Sequence, residues 1–353
     1  MVELAGGPSE NDAVSLAAEV LEGGGLVVFP TDTVYGLGVS AARPDAIERL
    51  YALKGRDRSK PLVRLVQNAR AAESAGGRDV PPWPRLARKL ARAYWPGPLT
   101  IVVRGQSFRV PAHQVARALA ARVELLATSA NRSGCAAACS AAEAIEALGA
   151  GVDLVLDGGR AAGAPSTVVR ADGERAEVLR EGAVSADELA LLAPPTVLFV
   201  CRGNSCRSPL AAELFKQELQ GRGRRDFVVL SSGLDVGAES AGRGASSLAV
   251  AAAAEAGLDL SDHAVQALTP AMLARADWVF VMERAQADTI TKLLPEESER
   301  VALLDPGGAD IEDPFGGGPD IYARTMDRVR EAVRARAREI LDAGEPVGGR
   351  RER

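Results

Sequence analysis

The chain is poor in the residues on which several protein classes depend. It has four cysteines in 353 residues, too few for a disulfide framework at this length. It has two histidines, and His113 with Cys135 and Cys139 finds no evident fourth ligand, so no metal site is expected. Cys135 and Cys139, spaced as neighbours on a helix, read as small buried hydrophobes. Aromatics make up 4% of the residues, and alanine takes much of their place, which points to alanine-rich helices. No apolar run reaches transmembrane length. The opening "MVELAGGPSENDAV" lacks the basic and then apolar pattern of a signal peptide. A cytoplasmic location follows as the default expectation. The net charge of −5 excludes a global basic field that would recruit nucleic acid or membrane. No repeat of fixed period is present.

What remains is ordinary globular composition in a length typical of two domains. Residues 13–21 read as an amphipathic helix, and "GGLVVFP" (24–30) reads as a strand stopped by proline. Short strands and alanine-rich helices alternate up to "VLREG", ending at Gly182. The short helical stretch "AVSADELALLAPPT" follows, and a second series then begins with "TVLFV" (196–200). That series continues through "FVVLSSG", "ADWVFVM" and "RVALL", and closes with a helix over about 320–343. Strands alternating with helices predict a doubly wound α/β domain with a parallel sheet covered on both faces. The expected division is a first domain over 1–185, a linker over 186–195, a second domain over 196–345 and a frayed tail over 346–353.

"CRGNSCRSP" (201–209) follows a strand directly and opens a helix. Backbone N–H groups of such a turn, together with the helix N-terminus, converge on one point and form an anion site. An anion site favours the thiolate, the reactive form of Cys201. Arg207 supplies a planar fork for two phosphoryl oxygens. Pro209 fits the first helical turn, and Ser208 can cap it. A strand–turn–helix with a buried cysteine is the plain alternative. The glycine, the asparagine, Ser-Pro and the flanking elements together argue against it.

This loop resembles the signature of the low-molecular-weight protein phosphatases. The resemblance runs from Val197 to about Ala343 and includes "SSGLDVG", "AEAGLDLSDHAV", "ADWVFVM" and "DPFGGGPDIYARTMDRV". It implies that Cys201 attacks phosphorus and that Arg207 and the loop residues Arg202, Gly203, Asn204, Ser205 and Cys206 hold the phosphoryl group. Asn204 would fix the loop, and Ser208 would hydrogen-bond the thiolate. Asp313 would protonate the leaving group and later activate water, with no cofactor. Asp305 and Asp310 compete for that role on chemistry alone. Ser205 and the single aromatic of "DPFGG" resemble the protein-arginine phosphatase branch more than tyrosine-specific relatives. Arsenate reductases share the loop, but no cysteine lies downstream of Cys206 to serve them.

Three segments carry the first half: "VVFPTDTVYGLG" (27–38), "YALKGRDRSKPL" (51–62) and "LLATSANRSG" (125–134). In the second, Lys54, Arg56, Arg58 and Lys60 alternate and would share one face of an extended backbone, suited to a polyphosphate. Together with "DGGRAAGAPSTVV" and "VLREG", the set is similar to the YrdC-like threonylcarbamoyl-AMP synthases from about Glu10 to Gly182. That similarity implies a twisted, mixed α/β sheet with a concave face. It also implies condensation of L-threonine, bicarbonate and ATP, releasing pyrophosphate, for threonylcarbamoylation of tRNA. By the same similarity Thr33, Arg109, Ser129 and Ser166 contact threonine. Lys54, Arg56, Lys60, Asn131 and Arg180 contact ATP, whose phosphates Mg²⁺ would bridge. The chain departs from the pattern at several points, Cys139 near a usual Ser or Thr among them. The stretch between Thr100 and Arg109 is short, Gly105 replaces a usual hydroxyl residue, and Arg64-Leu65 stand where a histidine is common.

The leading expectation is a bifunctional enzyme, a synthase joined to a phosphatase acting on phosphorylated protein, with no membrane partner. The alternative makes the first half a non-catalytic nucleotide- or RNA-binding module attached to the phosphatase. A third reading adds a protective disulfide between Cys201 and Cys206.

Overall fold

In the computed structural model, residues 1–4, 10–75, 77, 80–295 and 298–342 are described. The chain divides into two compact units, Met1–Ala193 and Pro194–Arg353. The expected tail over 346–353 lies outside the described residues.

The first unit carries ten strands: β1 (Val2–Glu3), β2 (Val27–Phe29), β3 (Gly36–Ser40), β4 (Val63–Leu65), β5 (Leu99–Val103), β6 (Gln106–Arg109), β7 (Leu125–Ser129), β8 (Leu154–Asp157), β9 (Thr167–Arg170) and β10 (Glu177–Arg180). They form one mixed sheet in the order β1-β8-β2-β3-β7-β4-β6-β5-β9-β10. The period-2 pattern decides which side chains reach the core. Along β5, Leu99, Ile101 and Val103 pack into the core with Trp83, Leu86, Leu90 and Phe108. Thr100 and Val102 face the opposite way, into a cavity. "GLG" in β3 has a packing reason: a Cβ at Gly38 would fall 2.7 Å from the Phe29 ring and 2.8 Å from Leu125. The short stretch before Arg109 is a two-residue turn joining β5 to β6. Arg104 (φ 52°) and Gly105 (φ 75°) are both left-handed there, as a tight hairpin requires.

Two sequence expectations change here. The segment expected as linker folds onto the first unit instead. Ser185 closes a capping box on the helix Ala186–Ala190, and Leu189 and Leu192 pack into that unit's core. Residues 54–60 are not extended. The helix Pro44–Lys54 ends at Gly55 (φ 58°), whose N–H and that of Arg56 bond back to Ala52 and Tyr51. The turn sends Arg58 outward to Glu48, so it does not share a face with Lys54, Arg56 and Lys60.

The second unit has four parallel strands, β11 (Thr196–Cys201), β12 (Val228–Gly233), β13 (Trp278–Val281) and β14 (Val301–Leu303), ordered β12-β11-β13-β14. Central β11 is buried throughout and splits its side chains between two cores. Val197 and Phe199 pack with the helices Arg207–Gly221 and Pro319–Asp342, and Leu198 and Val200 pack with Leu273 and Ile290 on the other face. Phe199 lies 5.7 Å from the Phe215 ring and 5.9 Å from the Phe280 ring. Truncating such a residue to alanine costs about 3–5 kcal/mol. No helix among the described residues is long and apolar enough to cross a membrane.

Candidate active sites

Cys201 is the last residue of β11, at the carboxyl edge of the sheet, where open parallel sheets bind their ligands. The chain then turns through Asn204, whose φ of 53° is left-handed. Asn204 donates through Nδ2 to Ser231 Oγ and Ser208 Oγ, both at 3.0 Å, and accepts from Gln266 N at 2.9 Å. His263 Nε2 lies 2.7 Å from the Asn204 carbonyl. The strained residue is thereby held from three sides.

The thiol of Cys201 accepts from Asn204 N at 3.2 Å and sits 3.0 Å from Ser208 Oγ. The cap of the following helix is Cys206, with no side-chain cap bond, so Ser208 is not the cap. Its hydroxyl faces Sγ and the Ser232 carbonyl (3.2 Å), which compete for its one proton. Cys206 lies in the core, with its sulfur 3.1 Å from Ser246 Oγ and 3.4 Å from Tyr322 Oη. Burial, and then the bond to Cys206, push the Tyr322 phenol above its ordinary pKa.

Arg207 is 1% exposed. Its Nη1 donates to the Glu283 carboxylate and to the Ile311 carbonyl (2.7 Å), and its Nη2 is 2.7 Å from Asp313 Oδ2. Among the described residues, its Nε is buried without a partner. Of the three candidate aspartates, only Asp313 is on Arg207. Asp305 accepts from Gly307 N and pairs with Arg328, and Asp310 accepts from Arg284 N. Arg202 is exposed and pairs with Asp235 at 3.4 Å. Sequence reasoning missed Glu283, although it directly follows "ADWVFVM" and so stands at the same carboxyl edge as Cys201.

In the first unit the concave sheet face holds a cavity of about 950 Å³. All nine residues expected from sequence line it: Thr33, Lys54, Arg56, Lys60, Arg109, Ser129, Asn131, Ser166 and Arg180. Arg109 is clamped: Nε donates to Gly97 O (3.0 Å), Nη1 to Thr33 Oγ1 (2.9 Å), and Nη2 is 2.8 Å from Asp32 Oδ2. Ser166 Oγ lies 3.0 Å from Thr100 Oγ1 and accepts from Arg180 at 3.2 Å. The Lys54 ammonium donates to the carbonyls of Ser129 and Asn131 and to Asn131 Oδ1 (3.5 Å). All three of its protons are therefore engaged in holding the Ser–Ala–Asn turn. Burial, and then neighbouring Arg56, push its pKa down to about 8. Asp32 and Thr100 were not singled out from sequence.

Other expectations settle differently. Arg64 pairs with Glu124 and is absent from the cavity wall. Cys135 is exposed at the cavity wall and outside any helix, and Cys139 is half-buried, so neither is the buried helical residue expected. His113 caps the helix Gln114–Arg122.

The second unit is a parallel α/β domain that brings a thiol and a guanidinium onto one loop, and the first is a mixed α/β domain with a cation-lined cavity. Residues 19–182 match the family model described as "Telomere recombination", that of the Sua5, YciO and YrdC proteins. Residues 196–344 match the model described as low molecular weight phosphotyrosine protein phosphatase. The first half is 38% identical over 193 residues to a putative threonylcarbamoyl-AMP synthase of Mycobacterium leprae, covering 50% of this chain and 86% of that one. It is 32% identical over 193 residues to the threonylcarbamoyl-AMP synthase of Pyrococcus abyssi, again 50% of this chain but only 56% of that protein's length. The second half is 36% identical over 141 residues to the probable low molecular weight protein-tyrosine-phosphatase EpsP of Ralstonia nicotianae, covering 40% of this chain and 92% of that one. The chain belongs to the threonylcarbamoyl-AMP synthase family in its first unit and to the low molecular weight phosphatase family in its second.

Proposed function

We propose that the chain is a bifunctional cytoplasmic enzyme, making L-threonylcarbamoyladenylate in its first unit and dephosphorylating protein in its second. In the synthase, the threonine amine adds to bicarbonate with loss of water, giving a carbamate. A carbamate oxygen attacks the α-phosphorus of ATP, and the bond to pyrophosphate breaks. Thr33, Arg109, Ser129 and Ser166 hold threonine. Arg56, Lys60 and Arg180 neutralise the leaving pyrophosphate, Asn131 meets the nucleotide, and Lys54 acts as a positioning residue through the turn it holds. The adenylate then serves modification of adenosine in tRNA. The observation that carries this reading is the convergence of all nine expected side chains on one cavity.

In the phosphatase, the Cys201 thiolate forms an S–P bond while the bond to the leaving group breaks and Asp313 supplies the leaving group's proton. Water then attacks phosphorus, Asp313 takes its proton, and phosphate and free thiolate result. Arg207 and the loop amides carry the transferring charge. Ser205 and the lone Phe315 favour phosphoarginine over phosphotyrosine as substrate.

The decisive assay is pyrophosphate release from ATP with bicarbonate and each amino acid in turn. Release with threonine alone is expected. ATP binding without release, under any amino acid, would make the first unit a binding module.

A further inference from the structure

Among the described residues, the cavity wall includes six cationic side chains, Lys54, Arg56, Lys60, Arg109, Arg170 and Arg180, and not one carboxylate. Arg109 is paired with Asp32, and Arg170 with Glu177. Among the described residues, Lys54, Arg56, Lys60 and Arg180 have no carboxylate within salt-bridge distance. Mg²⁺ sites in nucleotide enzymes usually offer one or two carboxylates beside the phosphates. This wall offers none, and no group of three or more metal-ligating side chains occurs among the described residues. The donor set therefore does not fit a resident Mg²⁺.

It fits something else. The triphosphate of ATP is a tetraanion near neutral pH, and bound Mg²⁺ halves that charge. The four unneutralised cations, Lys54 acting through its charge alone, match the free tetraanion. Resting on the synthase reading above, we propose that this cavity binds ATP as the metal-free tetraanion, and that Mg²⁺ weakens binding by competing with the protein's own cations for the phosphates.

The electrostatics of the wall support this. Burial lowers the pKa of Arg180, and repulsion from Arg109 and Arg56 lowers it further, while Lys54 is lowered by burial and by Arg56. The cations repel one another until a polyanion arrives. The hydrogen bonds Arg56 makes, to the Lys60 and Pro61 carbonyls, neutralise none of that charge.

The test is calorimetric titration of the full chain with ATP, once in excess EDTA and once with Mg²⁺ saturating the nucleotide, at matched ionic strength. Binding in EDTA should be tighter by about threefold or more. Lys60→Gln should narrow that preference, since it removes one of the four matching charges. Binding that is equal or tighter with Mg²⁺, in a protein that still releases pyrophosphate, overturns this inference and leaves the synthase standing. Absence of ATP binding under both conditions overturns both.

Discussion

Asp313 Oδ2 lies 2.7 Å from Arg207 Nη2, so the proposed acid and the proposed phosphoryl-binding guanidinium form an ion pair. Glu283 occupies the other end of the same guanidinium. On the proposed mechanism an incoming phosphoryl group would find Arg207 already oriented and would compete with Asp313 for Nη2. Asp313 would then turn towards the leaving group.

That division of labour fixes the outcome of Asp313→Asn. Loss of general acid catalysis costs about 10²–10⁴ in rate where the leaving group needs a proton. The loss should be large for a phosphoprotein and small for an aryl phosphate whose phenolate leaves unaided. Comparing kcat for both substrates in both proteins checks this. An equal loss for the two would remove Asp313 from the acid role.

Asn204 offers a second test, separating conformation from hydrogen bonding. Asn204→Ala loses the bonds to Ser208, Ser231 and Gln266 and places alanine at a left-handed φ of 53°. Asn204→Gly loses the same bonds without that strain, about 1–2 kcal/mol. Both should have lower kcat and Tm than wild type, with alanine the less stable by about that amount. Denaturant unfolding of the three proteins measures the gap.

The two sites were legible to different depths, for physical reasons. Cys201 to Ser208 form one contiguous strand–turn–helix, so their chemistry could be read locally. Glu283 and Tyr322 reach the loop across 76 and 116 residues, and spacing carries no sign of such contacts. Asp313 could be picked from its neighbours only through the family's motif. The fold class was visible in the alternation of apolar strands and helices. The ten-strand order of the first sheet was not, because it mixes parallel and antiparallel neighbours that are distant in sequence. The misreading of 54–60 had a visible remedy: "LKG" is a helix ending, with glycine just past the last turn. Leu189 and Leu192 likewise marked the supposed linker as part of a core.

Lys54 gives the nucleotide site a pH signature. Its pKa in the cavity is about 8, below the ordinary 10.5, so between those values the folded protein has lost a proton that the unfolded chain keeps. Lys54 thus costs stability below pH 8, and the cost is relieved as pH rises towards 10.5. ATP reverses the preference by supplying negative charge. Binding at pH 8.5–9 should therefore take up a proton, and affinity should fall as pH rises above about 8. Titration calorimetry in two buffers of different ionisation enthalpy reads the proton directly. No uptake, or release, would show that the nucleotide does not act on Lys54.

On the proposed reading, Ser205 selects which phosphoresidue is preferred. The loop builds one phosphoryl site whatever the substrate, so discrimination must come from the walls around it. Ser205 is half-buried beside Cys206, 3.6 Å from its sulfur, and leaves a small polar wall where a phenol ring would want apolar contact. Phe315 is 75% exposed, and Gly316 follows it at φ 86°, so the segment after Asp313 carries one loosely held ring where a second aromatic would otherwise stand. An aromatic contact is worth about 0.5–1.5 kcal/mol. Lost in the transition state, that is up to about tenfold in rate. A guanidinium asks for less apolar wall. Wild type should thus favour phosphoarginine, and Ser205→Ile should move the ratio of kcat/KM towards phosphotyrosine by restoring an apolar wall. A wild type that prefers phosphotyrosine, or an unchanged ratio in Ser205→Ile, would make tyrosine the better assignment, because the walls would then not be what selects the substrate.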